Sequence, residues 1–154
     1  MREKKITRYY RRANRLWRHH IPLLPGFIMR ICRVLYGIDL PYTCKIGKNV
    51  VFEHNGLGCV IHSQAEIGDG CQIYQNVTIG GRNGRGHPVI GKNVFIGAGA
   101  CLLGGITIGD NAVIGANATV ITDVPPGAVV VGPKAQIVKV NIENETQINK
   151  EHQD

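Results

Sequence analysis

A chain of 154 residues can build one hydrophobic core of ordinary size but not two, which excludes a multidomain enzyme or a modular receptor. Hydrophobic residues at 44%, charged residues at 19% and 20 glycines give a globular balance tilted toward glycine, which excludes a disordered protein. The net charge of +7 is held unevenly: residues 1–36 carry ten Lys and Arg against one Glu and the remainder is slightly acidic, so the body offers no basic face to nucleic acid.

In the basic arm, Ile6, Tyr9, Tyr10, Ala13, Leu16 and Trp17 recur at helical spacing. After breaks at Pro22 and Pro25, a second apolar helix is predicted over 27–35, both helices packing against the body of the chain. No apolar run has the roughly 18 residues of a membrane span, and the basic start lacks the apolar stretch of a secretion signal. Cys32, Cys44, Cys59, Cys71 and Cys101 are odd in number and contain no CxxC pair. They read as reduced thiols of a cytoplasmic protein without a structural metal.

The middle of the chain obeys a step of six. Ile61, Ile67, Ile73 and Ile79 stand six apart, and Ile90, Ile96, Leu102, Ile108, Ile114 and Val120 resume the step. Four residues after nearly every one comes a second, usually small side chain, such as Ala65, Cys71, Ala100 or Ala112. Glycine directly follows the aliphatic at Gly47, Gly68, Gly80, Gly91, Gly97, Gly109 and Gly115. Helices need a period near 3.6 and strands a period of 2, so neither explains this step. A parallel β-helix does: each hexapeptide is a short strand and a turn, three units close a triangular coil, and Gly or Asn takes the tight φ.

Two interruptions stand out. From Ile79 to Ile90 is eleven residues, so 81–88 must loop out; from Phe52 to Ile61 is nine, which makes Glu53, His54, Asn55 and Gly56 a second irregular point. A rigid coil can hold function in such segments. The chain therefore divides into a helical arm (1–36), an all-β solenoid of four to five coils (37–140) and a polar tail (141–154).

Residues 39–138 resemble the hexapeptide acyltransferases and, within them, the serine acetyltransferases. The resemblance rests on Asp39, on Glu53 beside His54, on Gly80 and Gly81 leading to Gly86, His87 and Pro88, on the IGAGA run ending at Ala100, and on Asp123, Val124, Pro125 and Pro126. It implies a left-handed β-helix, a homotrimer, and acetyl-CoA as co-substrate for O-acetyl transfer. It further implies that His54 and His87 meet in one cleft between adjacent subunits, with Asp39 backing His54. Such chemistry needs a base near neutrality for the hydroxyl proton, donors for the oxyanion and a track for the pantetheine arm. His54 and His87 are candidate bases, and Asp39 and Glu53 could fix an imidazole tautomer or hold the acceptor. Gly80, Gly81, Ala98, Gly99 and Ala116 would let CoA approach the backbone, and Lys134 and Lys139 would meet its phosphates.

The sequence departs from the serine pattern at three places: Gly86 replaces the Arg expected before His87, Glu53 replaces Asp, and Pro41 stands where the family has His. Only Arg85 could replace the lost partner of the serine carboxylate. L-serine and a sugar hydroxyl of a surface polysaccharide precursor therefore both stay open as acceptors. Two rivals on the same fold are a metal lyase of the carbonic anhydrase kind, drafting His54, His62 and His87 at an interface, and a non-catalytic scaffold. The basic arm is read as an amphipathic helix, with peripheral contact to an acidic membrane surface as the minority alternative.

Overall fold

The computed structural model describes residues 4–84 and 86–133. Two helices open the chain, α1 (Lys5–Arg18) and α2 (Leu24–Tyr36). The first matches the apolar spacing of the arm: Ile6, Tyr10 and Ala13 are buried. The second begins earlier than the sequence predicts. Pro25 does not break it but sits in its first turn, where a missing N–H costs no helical hydrogen bond. Gly37 closes α2 in the left-handed conformation, donating its N–H to the Arg33 carbonyl at 3.0 Å.

Short strands come next in regular succession: β1 (Lys45–Ile46), β2 (Val51–Phe52), β3 (Val60–Ile61), β4 (Glu66–Ile67), β5 (Gln72–Ile73) and β6 (Thr78–Gly80). After the looped-out segment come β7 (Val89–Ile90), β8 (Phe95–Ile96), β9 (Cys101–Leu103), β10 (Thr107–Ile108), β11 (Val113–Ile114), β12 (Thr119–Val120) and β13 (Val129–Val130). They stack in parallel on three faces. Face one holds β1, β4, β7 and β10; face two holds β2, β5, β8, β11 and β13; face three holds β3, β6, β9 and β12. The chain visits the faces in rotation, making a solenoid of about four turns.

The register shows where the sequence interruptions go. Val89 pairs with Thr107, a coil of 18 residues, whereas Lys45 pairs with Glu66 after 21 and Glu66 with Val89 after 23. The three extra residues lie between β2 and β3, at Glu53–Gly56, and the five extra between β6 and β7, at 81–88. The rest keeps step as far as β12, and the last coil is shorter, with Ile108 bridging Val124 and Ile114 pairing with Val130 after 16 residues. All ten aliphatics of the six-residue series are buried, from Ile61 to Val120. Cys44, Cys59 and Cys71 occupy the small corner positions as compact hydrophobes, and no disulfide joins the described cysteines.

The corners divide the conformational work between two residue positions. The left-handed φ falls one residue before the small side chain, at Asn49, Asn76, Asn93, Asn111 and Asn117 or at a glycine such as Gly70. Glycines that follow the aliphatic have ordinary φ and serve close stacking instead: a Cβ on Gly97 would lie 2.6 Å from the Ala116 nitrogen one coil on. Aspartates link the levels. The Asp69 and Asp110 carboxylates accept the backbone N–H of Lys48 and Lys92 at 2.7 Å, so each Lys-bearing turn receives an anion from the next coil.

The helices belong to the same core. Ile6, Tyr10, Ala13, Met29 and Cys32 join the coil interior in one apolar cluster, and the Tyr10 hydroxyl donates to the Cys44 carbonyl. No helix among the described residues is long and apolar enough to cross a membrane.

Candidate functional site

The residues singled out by sequence lie on two opposite edges of face three. At the edge where face two turns into face three, the extra residues Glu53–Gly56 form a 3-10 bend. In it His54 and Asn55 take left-handed φ values of 52° and 56°, which cost a non-glycine residue roughly 1 kcal/mol each. The imidazole of His54 is exposed and meets Tyr74 edge-on with ring centroids 6.5 Å apart; Tyr74 in turn packs on Phe95 at 5.2 Å. Further along the same edge lie Ala98, Gly99 and Ala116. Gly99 N–H donates to the Gln75 carbonyl at 3.0 Å, and the Ala98 carbonyl accepts from Asn117 N–H at 2.8 Å. Small side chains thus recur along the edge that carries His54.

The opposite edge, where face three turns into face one, carries Gly80, Gly81 and His87. His87 is half-buried, and its ring is stacked on His62 from the preceding coil, with centroids 5.7 Å apart and planes 7° from parallel. His62 Nδ1 accepts the Gln64 backbone N–H at 3.2 Å, so the neutral ring carries its proton on Nε2 as a donor. No described residue accepts that proton. A Cβ added to Gly81 would come within 3.7 Å of His62 Nε2, so the glycine loop and this ring are neighbours. On the next coil a groove of about 360 Å³ runs between Arg82, Leu103, Gly104, Ile121 and Asp123. Sequence reasoning passed over Arg82 and considered His62 only as a metal ligand, not as a partner of His87.

The arm supplies cations to both carboxylates. Glu53 pairs with Lys4 at 3.0 Å, and Asp39 pairs with Arg33 at 3.3 Å. Asp39 sits at the head of face three, bridged to Val60, but no hydrogen bond joins it to His54. The family resemblance sets Asp39 behind His54; in this chain the carboxylate is turned to Arg33 instead. Arg85, Lys134 and Lys139 lie outside the described residues.

Three thiols are buried at the corners of the prism. Burial pushes the Cys44 thiol up to about 12 and raises Cys59 and Cys71, holding all three protonated near neutrality. Among the described residues no group of three His, Cys, Asp or Glu is arranged to hold a metal, and His54 lies on the edge opposite the His62 and His87 pair. A groove of about 550 Å³ between α1 and face one is lined by Tyr10, Trp17 and Glu66, with neither candidate histidine in it.

Comparison with known proteins converges on one group. The pattern described as bacterial transferase hexapeptide (six repeats) matches residues 87–122. A serine acetyltransferase of Helicobacter pylori is 39% identical over 132 residues, covering 84% of this chain and 77% of that protein. Several other curated serine acetyltransferases are longer, such as those of Synechococcus elongatus and Staphylococcus aureus, of whose length the chain spans 54% and 61%. Among solved structures, soybean serine acetyltransferase complexed with serine superposes with a TM-score of 0.77 at 37% identity, over 86% of this chain and 56% of that one. A serine acetyltransferase in complex with CoA gives 0.78 at 35% identity, again over 86% and 56%.

Proposed function

Because this chain belongs to the serine acetyltransferase family, we propose that it transfers the acetyl group of acetyl-CoA to the hydroxyl of L-serine, in the cytoplasm, as a homotrimer. The observation that carries the reading is the division of the two imidazoles between opposite edges of face three. His54 shares one edge with Ala98, Gly99 and Ala116, and His87 shares the other with Gly80 and Gly81. A cyclic trimer of such prisms sets one edge of each copy beside the opposite edge of its neighbour, so each cleft receives His54 from one chain and His87 from the next.

In that cleft His54 takes the proton as the serine oxygen attacks the thioester carbonyl. A tetrahedral oxyanion forms, collapses with loss of the CoA sulfur, and His54 returns the proton to that sulfur, leaving O-acetylserine and free CoA. Attack is direct, since neither interrupted segment carries a Cys or Ser beside its histidine. His87 orients the acceptor hydroxyl. His62 fixes the His87 ring plane by stacking and offers its Nε2 proton to the acceptor, a role the loss of Arg at Gly86 makes more valuable. Glu53 holds the serine ammonium once Lys4 releases it, and Arg85 takes the carboxylate. Lys134 and Lys139 meet the CoA phosphates.

A second reading rests on Gly86, where the cation for a carboxylate is missing: the acceptor is then a sugar hydroxyl, which has no carboxylate to pair. The test is release of CoA thiol in the presence of serine, homoserine, nucleotide sugars and glycan oligomers. Saturable turnover of free serine at low millimolar concentration supports the first reading, and Arg85→Ala then raises its KM without changing that for acetyl-CoA. Transfer to a glycan with no turnover of serine replaces the first reading by the second.

A further inference from the structure

Helix α2 has two apolar faces, and only one of them is used. At 100° per residue Pro25, Met29 and Cys32 point one way, into the core shared with α1 and the coil. Leu24, Phe27, Ile31, Val34 and Leu35 fall on the other side at steps of three and four, all of them exposed. Phe27 is 60% exposed, Val34 85%, and Leu23 just before the helix 89%. A contiguous apolar stripe of this kind marks an interaction surface.

The charge around the stripe says what covers it. Between Lys4 and Ile38 there are nine Lys and Arg and no Asp or Glu. Lys4, Arg11 and Arg33 are engaged with the coil, whereas Arg12, beside Tyr36 of α2, and Arg30, beside Phe27, are exposed next to the stripe. Arg30 and Phe27 line one groove of about 410 Å³ with Trp17, so cation and apolar surface are contiguous and not on separate sides. A second copy docked on this face would bring like charges together. A neutral apolar partner would leave the guanidinium groups unused. An anionic phospholipid surface satisfies both halves, taking the stripe into its acyl boundary and the guanidinium groups at its phosphates. With only 13 residues, α2 is suited to lying on a bilayer and not to spanning one.

We propose that α2 and the adjoining face of α1 dock this protein on an anionic membrane surface, with the coil standing away from it. A cyclic trimer whose axis runs along the prism carries three such faces at one end, and their linkage strengthens a contact that is weak singly.

The experiment is co-sedimentation of the full chain with phosphatidylcholine vesicles and with vesicles of equal parts phosphatidylcholine and phosphatidylglycerol. The protein should partition onto the second at low salt, be released by high salt, and leave the first in solution. Phe27→Ser with Val34→Ser, and separately Arg12→Gln with Arg30→Gln, should each weaken partition by about tenfold or more while circular dichroism and CoA thiol release stay at the wild-type level. Failure of the wild type to bind anionic vesicles overturns the proposal, as does undiminished binding by the Phe27 and Val34 double variant. Loss of an oligomer on the same double substitution, seen by analytical ultracentrifugation, also overturns it, since the stripe would then be covered by a second copy. None of these readouts depends on which acceptor the enzyme acetylates.

Discussion

At His54 the strain of a left-handed non-glycine residue and the exposure of the ring coincide, as expected where a fold keeps a costly turn for the side chain it presents. His54→Ala and His87→Ala should each lower kcat by about 10²-fold with the trimer intact, measured by CoA thiol release and sedimentation; near-normal turnover in both would remove the general-base assignment. His62 separates packing from donation. His62→Phe keeps a ring against His87 but has no Nε2 proton, so it should raise the acceptor KM with little change in kcat, whereas His62→Ala should lower both kcat and kcat/KM. Equal, unchanged kinetics in the two variants would leave His62 without a role. His54 and His87 were legible because each interrupts the six-residue step. The stacking of His62 on His87 was not, since His62 sits in an ordinary turn and its partner arrives from the next coil.

Titration of the buried corner adds a test of stability. Burial raises the Cys44 thiol from its ordinary 9.0 to about 12, and it raises the Tyr10 phenol as well. The folded state holds both groups neutral, so their contribution is complete below about pH 9 and is lost as pH climbs through the folded values. Melting temperature should stay level to about pH 9 and fall above it, and Cys44→Ala should flatten that fall. A melting temperature independent of pH up to about 11 would contradict the burial of this pair.

At the scale of the element, the hexapeptide is one turn of backbone with two special demands, and the sequence announces both without saying which residue meets which. The positive φ falls on Asn or Gly ahead of the small side chain, and the tight stacking falls on the glycine after the aliphatic. Gly97→Ala would set a Cβ against backbone that cannot move without shifting a coil, so urea denaturation should show a loss of about 2 kcal/mol or more. Asn93→Ala should cost about 1 kcal/mol through φ alone. The reverse order would mean that the two roles are exchanged. The helices were legible in kind but not in extent: Pro25 reads as a breaker until its place in the first turn is known. The pairings of Lys4 with Glu53 and Arg33 with Asp39 cross from helix to coil and carry no periodic signal, so the sequence could not disclose them.

For the whole molecule, the solenoid was legible because burial repeats at every sixth position, and its two insertions marked both edges that carry candidate residues. What periodicity alone does not fix is the assembly, since one prism holds the two halves of the proposed site on opposite sides of face three. The shared cleft is therefore the central claim. It is tested most directly by mixing His54→Ala and His87→Ala chains, each inactive alone, unfolding and refolding them together, and measuring CoA release from acetyl-CoA with L-serine. Random assembly of trimers pairs an intact His54 with an intact His87 in about a quarter of the clefts, so the mixture should recover about a quarter of wild-type activity. A refolded mixture that forms trimers yet stays as inactive as either parent would contradict the shared cleft.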